Sequence, residues 1–110
     1  MIQKIKLMAD YQCYPLWWSG DANPGNIDPS TLPLNHETIS ELDRWADTFD
    51  SWINLEAPSS QDIPSDRQVE AFEQEGIKLW KQLREELSPN YMVIYHSYKL
   101  GKLLEHPNAS

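Results

Sequence analysis

Residues 65–89 read SDRQVEAFEQEGIKLWKQLREELSP, and the fold follows from seeing one amphipathic helix in them. Ser65 stands at the N-cap with Gln68 three positions on, the reciprocal pair of a capping box, and Pro64 precedes it. Val69, Phe72, Gly76, Leu79, Trp80, Leu83 and Leu87 recur at helical spacing and fall on one face, and Pro89 ends the helix. Gly76 in that stripe costs about 1 kcal/mol against alanine, which predicts close approach of another backbone. Lys78, Lys81 and Arg84 alternate with Glu85 and Glu86, the pattern of a solvent-facing side.

Upstream, Asn35 is the N-cap of a first helix, with Leu34 and Ile39 at the positions of a hydrophobic staple. Its stripe runs through Ile39, Leu42, Trp45, Ala46 and Phe49. Ile2 to Ala9 sets Ile5, Leu7 and Ala9 against Lys4 and Lys6 and predicts the first strand. Trp52 to Leu55 predicts a brief middle strand, ended by the Pro58-Ser59-Ser60 run, and Tyr91 to His96 predicts the last. Asp10 to Leu34 contains four prolines and two glycines, too many for a regular element, so a long loop is expected, with a type II turn at Asn23-Pro24-Gly25-Asn26. Residues 97–110 are expected to be a flexible or helical tail.

The order strand, helix, short strand, helix, strand predicts a single small α/β domain over residues 1–110, with a three-stranded, mainly parallel sheet. An α+β domain with a two-stranded sheet is the alternative. In the parallel arrangement the loops over 10–34 and 56–64 leave the same carboxyl edge, where such folds bind ligands.

Charge is distributed unevenly. Thirteen of the 17 Asp and Glu residues lie between Asp21 and Glu75, where Arg44 and Arg67 are the only cations. Folding does not need that imbalance, so it points to a cationic partner. The sequence pI of about 4.7 argues against nucleic acid and against an anionic membrane surface. No stretch reaches the roughly 20 apolar residues of a membrane span, and the start lacks the features of a signal peptide, so the cytoplasm is the expected compartment. A single cysteine, Cys13, fits a reducing compartment.

On the first helix Asp43, Asp47 and Asp50 form a row beside the apolar stripe, and Glu70 and Glu73 extend the negative field on the second. Such a row is either a binding surface or a solvated face kept anionic for solubility. Tyr11, Tyr14, Trp17 and Trp18 form either an aromatic platform or a lid folded over the core. Catalytic and metal signatures are absent: Cys13 has no base tied to it by sequence, and His36, His96 and His106 lack ligand spacing. Asp10, Glu56 and Asp62 offer only a weak acid/base or hard-cation grouping at the carboxyl edge.

The run Leu7-Met8-Ala9-Asp10-Tyr11 with Cys13, Pro15, Leu16 and Trp17 resembles a group of small bacterial proteins. So do Gly25-Asn26-Ile27 with Pro29, Leu32-Pro33-Leu34, Asn54 with Pro58, Phe72, Glu75-Gly76, Leu83-Arg84 and Glu86-Leu87 with Pro89 and Tyr91. Some of that group are similar to immunity proteins encoded beside toxins of contact-dependent growth inhibition.

The resemblance implies an immunity role. Joined to the charge pattern, it predicts a non-enzymatic acidic protein that occludes a cationic toxin domain, a nuclease, without cofactor or metal. Asp43, Asp47, Asp50, Glu70 and Glu73 would supply the field, with Trp17 or Trp18 as anchors. Two other functions stay open: a small-molecule or metal-binding domain or weak hydrolase around Asp10, Cys13 and Glu56, and a homodimer paired through the last strand.

Overall fold

The computed structural model describes residues 3–19, 25–52 and 64–105. Strands β1 (Gln3–Leu7), β2 (Leu16–Ser19) and β3 (Asn26–Ile27) come first, then a short 3-10 turn over Pro29–Thr31. Helices α1 (His36–Asp50) and α2 (Asp66–Leu87) follow, and strands β4 (Tyr91–Ser97) and β5 (Lys102–Leu104) close the order. One five-stranded mixed sheet results, ordered β3-β2-β1-β4-β5. Only β1 and β4 are parallel; every other neighbour is antiparallel.

The domain is therefore α/β with two helices, as expected, but its sheet is neither three-stranded and mainly parallel nor two-stranded. The chain makes one crossover from β1 to β4, and a hairpin extends each flank of that central pair. In the stretch expected to be one long loop, β2 and β3 are short enough to fit between the prolines. Pro15 precedes β2, and Asn26–Ile27 ends before Pro29, so no proline interrupts a ladder. Of the expected middle strand, Trp52 is a buried turn residue and 53–55 lie outside the described residues. The loop of 56–63 does too. The tail is not helical where it is described: Gly101 turns the chain at φ +65 and Lys102–Leu104 pairs back onto β4. That pairing places β4 between β1 and β5, with β5 covering its Tyr95–Ser97 end.

Strand alternation directs Ile5, Leu7, Val93 and Tyr95 toward the helices, where they join Leu42, Trp45, Leu79, Trp80 and Leu83 in one core. Both central indoles keep their N–H satisfied: Trp45 Nε1 donates to the Phe72 carbonyl at 3.0 Å and Trp80 Nε1 to that of Val93 at 2.8 Å. The close neighbour of Gly76 is a pair of side chains instead of the expected backbone. A Cβ there would lie 2.5 Å from the Tyr95 hydroxyl and 3.0 Å from the Trp45 ring.

The start of α1 is capped from the other helix. Asn35 occupies the N-cap but its side chain makes no capping bond. Its backbone N–H donates instead to Glu86 Oε1 at 2.7 Å, while the Thr38 hydroxyl and the Gln82 amide donate to Glu86 Oε2. Glu86, read as a solvent-facing residue, thus ties α2 to α1. Burial works to raise its pKa, but the Asn35, Thr38 and Gln82 donors outweigh that and hold the carboxyl below its usual range.

Candidate functional site

The connection from β1 to β2 is built from its own hydrogen bonds and then clamped onto α1. The Met8 N–H donates to the Pro15 carbonyl at 2.9 Å, which closes the loop, and Trp17 Nε1 donates to the Met8 carbonyl at 3.0 Å. Asn26 braces the far side. Its Oδ1 accepts the Tyr14 N–H at 2.9 Å, and its Nδ2 donates to the carbonyls of Tyr14 and Leu16 at 2.7 and 3.0 Å. Gln12, held at φ 58, directs its N–H to Asp50 Oδ1 at 2.9 Å, and the Tyr11 ring packs on Phe49 with centroids 4.5 Å apart.

This docking makes a groove of about 520 Å³. Asp43, Asp47 and Asp50 form its α1 wall; Gln12, Cys13, Tyr14 and Asn26 form the other. The carboxylate row and Tyr14 of the aromatic loop, read separately from the sequence, therefore face each other across one groove. Asp43 and Asp47 are exposed, and among the described residues no cation pairs with any of the three aspartates. Arg44 turns instead into the cleft between the helices. Tyr14 presents 46% of its surface to solvent at the groove's rim. Partial burial, Tyr98 and the charges of Asp50 and Asp10 together raise the Tyr11 hydroxyl pKa, so that neighbour stays a neutral donor.

The other expected contact residues lie elsewhere. Glu73 is buried, 5% exposed, and its two carboxylate oxygens accept the Tyr95 and Ser97 hydroxyls at 2.7 Å each. It faces the core and contributes no surface field. Burial, reinforced by the bond to Glu73, pushes the Tyr95 hydroxyl far above its ordinary value. Glu70 is ion-paired to Lys99 and also accepts from Gln74 at 3.0 Å, so its charge is already partnered. Trp18 is half-buried on the helix side of the sheet, 6.2 Å from Tyr91, and Trp17 alternates to the opposite face.

Of the weaker grouping, Cys13 lines the groove, Asp10 accepts the Tyr11 N–H at 2.8 Å, and Glu56 and Asp62 lie outside the described residues. No group of three or more His, Cys, Asp or Glu suited to a metal occurs among the described residues. A second cleft, about 510 Å³ between α1 and α2, has Trp45, Trp52 and Phe72 among its walls. Its charged residues are two acids, Glu41 and Glu75, and two bases, Arg44 and Lys78, so it projects no net field. The aspartate groove is the strongly anionic depression of the two.

Sequence reasoning missed Asn26 and Gln12. Asn26 was legible as a turn residue, but its bonds run twelve and ten residues back along the chain, which local turn rules do not express. Glutamine at positive φ has no sequence signal at all.

A family model described as Serratia CdiI immunity protein-like matches residues 3–98. No curated protein matches the chain.

Proposed function

The chain belongs to the Serratia CdiI immunity protein-like family, and we propose that it neutralises a cationic toxin domain, a nuclease, by stoichiometric docking of the aspartate groove. Family membership supports an immunity role and a toxin partner. The observation that carries the rest is the convergence of Asp43, Asp47 and Asp50 with Tyr14 around one groove in which no carboxylate is neutralised by the described residues. A nuclease grips a phosphate chain with lysines and arginines, and a carboxylate row at the spacing of successive helical turns offers those cations a substitute.

Opposite fields speed the encounter, and Tyr14 adds rigid contact area beside the charges. Asp50 serves both the partner and its own loop through the Gln12 N–H. Docked in this way, the chain inhibits by occupying the toxin's surface, not by modifying it. No described helix is long and apolar enough to cross a membrane, and a cytoplasmic site of action, where an incoming nuclease meets nucleic acid, fits this reading.

The test is titration calorimetry with the toxin domain encoded beside this chain, at several salt concentrations. Replacing Asp43 and Asp47 by asparagine is expected to weaken binding about 10- to 100-fold at low salt and to flatten the salt dependence. Unchanged affinity together with an unchanged salt slope would remove the groove from the interface and return the choice to an aromatic contact.

A further inference from the structure

The sheet has a second face. Register sets Lys6 between Trp17 on β2 and Ile94 on β4, Lys4 between Ser19 and Met92, and His96 beside Leu103 on β5. All of these alternate away from the residues that meet the helices. Ile94 is only 3% exposed yet stands outside the buried cluster that joins helices to sheet, so it is the floor of this other face. Leu103, 47% exposed, lies at its margin.

None of the five strands contains an aspartate or glutamate, and the charged residues on this face are Lys4 and Lys6; Lys102, opposite Ser97, alternates to the helix side. In a chain of formal net charge −8, that face carries cations around an apolar floor. Neither helix covers it. Its field is opposite in sign to that of the aspartate groove, so the two surfaces cannot serve the same kind of partner.

We propose that this face docks an acidic protein segment bearing apolar side chains, its carboxylates pairing with Lys4 and Lys6 and its apolar groups resting on Trp17 and Leu103. Charge complementarity selects that occupant over two others. A second copy stacked face to face by a twofold axis would set Lys4 and Lys6 against their own equivalents. A nucleic acid would find too few phosphate contacts here to offset repulsion by the rest of the chain. The proposal stands on the sheet alone and does not depend on the function assigned to the aspartate groove.

The experiment is a nitrogen-15 NMR titration of the full chain with a 12-residue peptide alternating glutamate and leucine. A peptide with lysine in place of glutamate and a 12-nucleotide oligothymidylate serve as comparisons. The expected result is saturable shifts centred on Lys4, Lys6, Trp17 and Ile94, weakened about tenfold by Lys4→Glu with Lys6→Glu. Asp43→Asn with Asp47→Asn should leave them unchanged. The milder pair Lys4→Gln and Lys6→Gln, expected to weaken binding about threefold, replaces the reversal should that variant not fold. Absence of saturable shifts, shifts centred elsewhere, or equal binding by the lysine peptide would overturn the proposal. Equal or tighter binding of the oligothymidylate would overturn it too, in favour of nucleic acid.

Discussion

Glu73 and the aspartates of α1 are carboxylates on consecutive helices, yet the fold uses them in opposite ways. Glu73 is enclosed by α2 and β4 with a hydroxyl on each oxygen, and Ser97, one of its donors, also accepts the Leu100 N–H at 3.0 Å, which fixes the turn into β5. Asp43 and Asp47 face solvent without a cation among the described residues. A buried carboxyl is kept where its bonds stabilise the fold; an exposed row without a partner in the fold is open to solvent and to other molecules. Net charge along the sequence counts both alike, and only packing separates them.

That contrast is broken most directly at Glu73. Replacing it by alanine leaves the Tyr95 and Ser97 hydroxyls buried without an acceptor, and the expected loss is about 2–5 kcal/mol in urea unfolding. Glutamine keeps one acceptor for Tyr95, and its amide can donate to Ser97 Oγ, so Glu73→Gln should cost about 1 kcal/mol. Equal, small effects of both substitutions would mean that Glu73 is not the enclosed anchor that its bonds indicate.

Glu86 lies between the extremes, half-buried with three donors. Glu86→Ala is expected to cost about 1–2 kcal/mol, the scale of a lost helix cap plus an unsatisfied Thr38 hydroxyl. Its carboxyl titrates lower in the fold than in the unfolded chain, so its contribution is full above the ordinary value of 4.5 and is lost as pH falls through the folded value. The difference in stability between the native chain and Glu86→Ala should therefore narrow on acidification below 4.5. A difference that is flat with pH would show that the charge of Glu86 is not what caps α1.

Both helices were legible because their signals are local: the capping box of Ser65 and Gln68 forms as read, and the stripes of Leu42, Trp45 and Phe49 and of Phe72, Leu79 and Leu83 are buried. The row of Asp43, Asp47 and Asp50 was legible for the same reason, since helical spacing alone places it. Of the sheet, the parallel pair β1 and β4 was legible; β2 and β3 were not, because they are four and two residues long and exist only by pairing, β2 with β1 and β3 with β2, a contact that period-two patterning of so few residues cannot reveal. Glu73 read as part of the exposed negative field and Glu86 as part of a solvated face. What removes them from these roles are hydroxyls and an amide 22 to 51 residues away.

The smallest effect sharpens the comparison from the other side. If Asp43 and Asp47 do nothing for the fold, their mutual repulsion at one helical turn should cost about 0.2–0.5 kcal/mol. Asp43→Asn with Asp47→Asn is then expected to raise the melting temperature by about 1–4 °C at low salt. The gain should shrink as salt screens the pair in the native chain. Asp50 stays unaltered because it accepts the Gln12 N–H and its removal would loosen the loop. A gain in stability together with a loss of toxin binding is the combination that a surface kept for a partner produces. A row kept only for solubility would give the first without the second, and a loss of stability would place the aspartates with Glu73, among carboxylates that the fold itself requires.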